Sequence, residues 1–282
     1  MSNPNLVSTE WLSERLGDPD VIPVDGSWYL PAAKRDGPAE FFGAHIPGAV
    51  FFDINTVADL ATDLPHMLPS PEVFAEAVGK LGIGDGATVV AYDGAGLFAA
   101  ARVWWTFKVF GVKNVYVLDG GLPKWKAEGR PIESGSATRA PATFTPRFDA
   151  AAVRNADDIA AGLESKAFQV IDARPAARFR GEAAEPRPGL ASGHIPGSLN
   201  VPFDQVVKDG RLADEAALRA AFEAAGVDVS APIVTTCGSG VSAAILALAL
   251  EGAGGKAEGL YDGSWAEWGA GQRPVATGPA KG

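Results

Sequence analysis

The chain repeats itself. Ala44-His45-Ile46-Pro47-Gly48-Ala49 returns as Gly193-His194-Ile195-Pro196-Gly197-Ser198, and Val24-Asp25 returns as Ile171-Asp172. Tyr92-Asp93-Gly94-Ala95-Gly96 returns as Thr236-Cys237-Gly238-Ser239-Gly240. Leu118-Asp119-Gly120 with Trp125 matches Tyr261-Asp262-Gly263 with Trp268, and Arg130-Pro131-Ile132 matches Arg273-Pro274-Val275. Ordered matches at a spacing of about 145 residues mean two copies of one unit. The expected division is a first unit over residues 1–134, a linker over 135–146 rich in Ser, Thr, Ala and Pro, and a second unit over 147–282.

Each unit alternates short apolar runs with helical patterns. The first predicts strands at 21–25, 49–53, 88–92 and 115–119, and helices at 9–16, 71–81, 98–110 and 121–128. The second predicts strands at 168–172, 198–202, 232–236 and 258–262, and helices at 156–164, 214–225, 241–252 and 264–269. Ser70 before Pro71 is a helix start, with a capping hydroxyl and a proline in the first turn. The expected fold is α/β: two units, each a mainly parallel sheet flanked by helices on both faces.

Composition removes several function classes. A net charge of −10 disfavours nucleic acid as a partner, because phosphate binding needs a basic face. One cysteine excludes an intramolecular disulfide, and histidines at 45, 66 and 194 without a cysteine pair make no zinc site. No metal or organic cofactor is expected. The N-terminus lacks a basic stretch followed by an apolar run, and no apolar segment is long enough for a membrane span. A cytoplasmic, reducing location is the expectation, and it suits a free thiol.

Cys237 opens the run Cys237-Gly238-Ser239-Gly240-Val241-Ser242, between an apolar strand pattern and a helix pattern. Backbone N–H groups and the helix dipole at such a turn stabilise an anion, and the thiolate is the nucleophilic form of cysteine. The alternative is a small buried core residue. Gly238 and Gly240 favour the nucleophile, because they let backbone approach an anion closely. The first unit has Asp93 at the equivalent position, so it is expected to supply structure and one wall of a cleft between the units.

With these residues in view, the chain resembles the tandem-domain sulfurtransferases of the rhodanese family. The resemblance rests on the two His-Ile-Pro-Gly runs, the Cys237 loop, Arg178-Phe179-Arg180-Gly181 through Pro186-Arg187, and His66-Met67-Leu68-Pro69. Thiosulfate-preferring members carry a cationic Cys-Arg-Lys-Gly loop. The uncharged loop here looks like that of the 3-mercaptopyruvate branch, with Ser242 where threonine is usual. The resemblance implies that Cys237 takes sulfur from 3-mercaptopyruvate as a persulfide, releases pyruvate, and passes the sulfur to a thiol acceptor such as thioredoxin or a small dithiol, or to cyanide.

It further implies that Arg178 and Arg187 hold the substrate's carboxylate and ketone, with Arg180 the weaker candidate, and that the loop from Gly238 to Ser242, including Val241, stabilises the sulfur anion. For either arginine the alternative is a solvated or interdomain ion pair. Ser239 is expected to relay a proton with His45 and Asp36; the alternative for His45 is a structural role, since its motif is duplicated. His66 is expected to be structural or to line the cleft. Competing functions are a thiosulfate:cyanide sulfurtransferase and a non-catalytic sulfur-binding or interaction module. A phosphatase of this fold would need an arginine where Ala243 stands.

Overall fold

The computed structural model describes residues 3–280. The first unit holds strands β1 (Leu6–Val7), β2 (Val21–Asp25), β3 (Val50–Phe51), β4 (Thr88–Tyr92) and β5 (Asn114–Leu118). Its helices are α1 (Thr9–Ser13), α2 (Gly37–Gly43), α3 (Pro71–Lys80), α4 (Ala100–Val109) and α5 (Gly121–Ala127). The second unit holds β6 (Val153–Arg154), β7 (Gln169–Asp172), β8 (Leu199–Asn200), β9 (Val207–Lys208), β10 (Arg211–Leu212), β11 (Ile233–Thr236) and β12 (Gly259–Tyr261). Its helices are α6 (Ala156–Ser165), α7 (Ala176–Phe179), α8 (Phe203–Val206), α9 (Glu215–Ala224), α10 (Val241–Gly252) and α11 (Ser264–Trp268).

The two five-stranded sheets share one order, β1-β5-β4-β2-β3 and β6-β12-β11-β7-β8, with every pairing parallel. All residues of β2, β11 and β12 are buried, as strands covered on both faces must be. Helix starts follow the sequence cues. The Ser70 hydroxyl accepts the Val73 N–H, Asp214 accepts the Ala217 N–H, and Asn155 with Asp158 closes a capping box. The sequence pattern did not reveal α2, α7, α8 or the two-residue strands β1, β6, β9 and β10, which are too short to show a period.

Helix α10 explains its own uninterrupted apolar run. It packs on its sheet on one side and on α4 of the first unit on the other, so Ala243 to Leu250 are all buried. One apolar core therefore runs through both units, joining Trp104 and Phe107 to Ile245 and Leu248. The expected linker is not a free tether. Ala142 donates its N–H to the Gly79 carbonyl, Asp85 holds Thr145, and Phe144 packs edge-on against Phe74. The antiparallel ribbon β9–β10 crosses to the first unit, where Arg211 pairs with Asp119 and the Gly210 backbone abuts Gly96.

The repeat also exposes an uncompensated charge. In the second unit, Asp172 at the end of β7 pairs with buried Arg174 at 2.7 Å. In the first, Ser27 stands where that arginine would be, and the Asp25 carboxylate takes the Ser27 N–H at 2.8 Å in place of a cation. Burial pushes the Asp25 pKa up to about 6, and Asp93 adds to the shift. A carboxyl whose folded pKa exceeds its unfolded value holds its proton more tightly when folded. Stability therefore falls as pH rises between the two values and stays low above about pH 6. We expect Asp25→Asn to stabilise the protein at pH 8 by on the order of 2 kcal/mol. The gain should vanish below about pH 4; urea midpoints at the two pH values check this.

Candidate active site

Cys237 follows directly on β11, at the carboxyl end of the parallel strands where α/β folds place their ligands. Its side chain is buried beneath the floor of a small cavity of about 60 Å³. The loop glycines serve its shape: Gly240 has φ +76°, a left-handed turn that brings the chain into α10. Behind the loop, Cys237 and Gly238 carbonyls accept the N–H groups of Trp265 and Ala266, so α11 fixes the loop from below. The N–H groups of Gly238, Ser239, Val241 and Ser242 find no acceptor among the described residues. They are free to face an anion.

The first unit shows what such a loop does when an anion fills it. The Asp93 carboxylate turns inward and accepts N–H groups from Ala95 at 2.8 Å, Phe98 at 2.7 Å and Ala100 at 2.8 Å. The repeat maps these donors onto Ser239, Ser242 and Ala244. Burial nonetheless pushes the Asp93 pKa up, with the loop N–H groups opposing it.

One wall of the cavity is cationic. Arg178 and Arg187 line it, and the Arg178 Nη2 lies 3.3 Å from where a side chain on Gly238 would begin. Glu185, between them in sequence, is buried and bonds both Arg174 and Arg178. Three arginines thus face two carboxylates, Asp172 and Glu185, leaving net positive charge at the sulfur. Burial lowers the Arg187 pKa, while the nearby Cys237 raises it. Arg180 is turned away, exposed, and paired with Glu182. Trp28, Leu30, Phe98 and Phe203 form the apolar wall, the first three from the first unit.

The structure does not bring His45 or Asp36 to Ser239. The His45 Nδ1 bonds the Phe41 carbonyl at the end of α2, its Nε2 lies 4.0 Å from Glu133, and its ring stacks on Phe41. Its twin His194 does the same work on Phe179. Duplication marks a structural device, one per unit, and a device needed twice is not tied to a single reactive loop. Asp36 caps α2 by accepting the Ala39 N–H and is exposed.

His66 stands where His45 was expected. Its Nδ1 is 3.1 Å from the Ser239 Oγ and its Nε2 is 3.2 Å from the Asn55 Oδ1. An amide oxygen beside Nε2 puts the ring proton there, leaving Nδ1 to accept the Ser239 hydroxyl. Arg187 donates to the same hydroxyl oxygen at 3.3 Å. Burial first, then Arg102 and Arg187, push the His66 pKa down to about 3. The imidazole is therefore neutral at any ordinary pH.

His66 itself has φ +63°, in the left-handed region that residues other than glycine seldom adopt. Arg102 of α4 holds it, donating to the His66 carbonyl at 2.5 Å and to the Gly240 carbonyl at 3.4 Å. The same guanidinium pairs with buried Asp262 at 2.6 Å, whose other oxygen accepts the Leu68 N–H. One buried arginine of the first unit thus fastens the histidine segment to the cysteine loop of the second. Sequence reasoning missed Arg102, Asn55 and Glu185. Only Glu185 carried a signal, as an acid between two arginines.

Comparisons with known proteins bear out the duplicated fold. A family model described as Rhodanese-like domain matches twice, at residues 8–128 and 155–270. The chain is 45% identical to the 3-mercaptopyruvate sulfurtransferase of Homo sapiens, across 93% of this chain and 91% of the human protein. It is 43% identical to the thiosulfate sulfurtransferase of Bos taurus, across 93% and 91%. A crystal structure of a 3-mercaptopyruvate sulfotransferase from Escherichia coli superposes with a TM-score of 0.85 at 40% identity, covering 93% of this chain and 98% of that one. This chain belongs to the rhodanese family, with one such domain in each half and a cysteine loop only in the second.

Proposed function

We propose that the chain is a sulfurtransferase that takes sulfur from 3-mercaptopyruvate onto Cys237 and hands it to a thiol. The observation that carries this reading is the loop above Cys237: free N–H groups, no cation of its own at 238 or 239, and two arginines placed beside it. Overall identity does not choose the donor, since the human and bovine relatives are nearly equally similar. The loop chemistry does.

Arg178 and Arg187 hold the carboxylate and ketone of the donor, leaving its sulfur above Cys237. The thiolate attacks that sulfur. A Cys–S bond to sulfur forms, the carbon–sulfur bond breaks, and its electron pair goes to the departing carbon as the enolate of pyruvate. Arg187 stabilises the enolate oxygen. The outer sulfur gives up its proton, the enolate carbon gains one, and Ser239 can carry it between them. His66, neutral and a weak base, aims the Ser239 hydroxyl rather than keeping its proton. The free N–H groups of Ser239 and Ser242 hold the persulfide anion as their counterparts Ala95 and Phe98 hold Asp93. A thiol acceptor then removes the outer sulfur.

The test is kcat/KM for 3-mercaptopyruvate and thiosulfate measured side by side. We expect mercaptopyruvate to lead by at least about tenfold, which needs only about 1.4 kcal/mol of differential transition-state binding. Gly238→Arg with Ser239→Lys should shift the ratio toward thiosulfate; a wild type that prefers thiosulfate would refute the donor assignment.

Arg187→Ala should raise KM and lower kcat together, because it loses contact with both substrate and Ser239, at about 1.5–3 kcal/mol. Arg178→Ala should act mainly on KM, since Glu185 already shares its charge. Steady-state kinetics of both variants, beside their melting temperatures, check the assignment.

A further inference from the structure

Ser264 stands out as the one residue of the loop's support that pays backbone strain for a hydroxyl. It is completely buried and lies at φ +50°, where residues other than glycine are disfavoured. Its counterpart in the first unit is Gly121, at φ +53°. There glycine is required: an added Cβ would meet the Gly96 carbonyl oxygen at 2.5 Å and the Asp93 carbonyl oxygen at 2.6 Å. Where the loop carries a carboxylate, the unstrained residue is used. Where it carries a thiol, a serine takes the same left-handed position.

The hydroxyl is fully engaged. It accepts the Cys237 N–H at 3.2 Å and the Gly240 N–H at 3.1 Å, and donates to the Tyr261 carbonyl at 2.7 Å. The Thr236 hydroxyl adds a contact at 3.3 Å. A hydroxyl has one proton and two lone pairs, so the three shorter bonds exhaust it. Two of these bonds hold the backbone on which Cys237 is mounted, and the third anchors the hydroxyl to the end of β12. Drawing the Gly240 N–H inward fixes the tilt of the peptide planes on either side, while the N–H groups of Gly238, Ser239, Val241 and Ser242 keep no acceptor among the described residues. Without the hydroxyl, two buried N–H groups would lack an acceptor and the loop would turn to find others.

We propose that Ser264 is a positioning residue for the sulfur-transfer step, holding the Cys237 loop in its anion-binding shape at a cost in backbone strain. The proposal rests on the reading of Cys237 as the nucleophile. It separates function from stability, because glycine at 264 removes strain and hydroxyl together, whereas alanine removes only the hydroxyl.

The experiment compares Ser264→Gly, Ser264→Ala, Cys237→Ser and the wild type by melting temperature, steady-state kinetics with 3-mercaptopyruvate, and the pH dependence of Cys237 alkylation by iodoacetamide. Both Ser264 variants should lose at least about tenfold in kcat with KM changed less than about twofold. Their alkylation profiles should move to higher pH. Ser264→Gly should melt at or above the temperature of Ser264→Ala. Wild-type kcat and alkylation in the folded glycine variant would overturn the proposal, as would a glycine variant that melts well below the alanine one, since position 264 would then carry no backbone strain. Sulfur transfer retained by Cys237→Ser would instead overturn the reading beneath it.

Discussion

Cys237→Ser should reduce sulfur transfer to background, a loss of at least about 10⁴-fold, while the protein melts within a few degrees of the wild type. No second thiol exists in the chain to take over. A serine hydroxyl is not ionised at neutral pH, and oxygen cannot carry a persulfide. The fold should tolerate the change because the loop is held by its backbone, through Trp265, Ala266 and Ser264, and not by the sulfur. Pyruvate release from mercaptopyruvate also separates this account from a non-catalytic sulfur-binding module, which would release none in either protein.

Arg102→Met should be the most damaging substitution outside the loop. It leaves the Asp262 carboxylate buried without its cation, and loss of one partner of a buried ion pair costs about 3–5 kcal/mol. It also frees the His66 carbonyl, so that a strained residue loses its restraint. The expected result is a melting temperature lower by about 10 °C, together with a fall in kcat larger than partial unfolding explains. Adding Asp262→Asn should recover part of the stability, because no unpaired charge remains, but little of the activity, because His66 is still unfastened. Additive stability losses in the double variant would contradict the pairing.

The sequence carried much of this architecture because the strands and longer helices are governed by local pattern. Buried parallel strands such as Val21–Asp25 and Ile233–Thr236 are apolar runs wherever they occur, and Ser70-Pro71 or Asn155 with Asp158 start helices by contacts within four residues. The repeat then gave both units the same succession of strands and helices. What stayed hidden depends on contacts between residues far apart in sequence. His66 meets Ser239 across 173 positions and Arg102 meets Gly240 across 138, and neither partner's identity constrains the other's neighbourhood. The His-Ile-Pro-Gly motif drew attention to His45 because it is conspicuous. It is conspicuous because both units need it, to hold the ends of α2 and α7.

The repeat was more informative where it broke than where it held. Asp93 opposite Cys237, Ser27 opposite Arg174 and Gly121 opposite Ser264 mark, in turn, the nucleophile, the arginine cluster beneath the substrate site, and the support of the loop. The first supplies the sulfur, and the other two place a charged and a hydroxyl-bearing group around it.

The most direct measurement is the mass of the protein after brief exposure to 3-mercaptopyruvate without an acceptor, followed by digestion to locate the change. The account predicts one added sulfur atom, on the peptide containing Cys237, formed in equal amount to the pyruvate released and removed when a thiol is supplied. Pyruvate released with no sulfur on that peptide would contradict it.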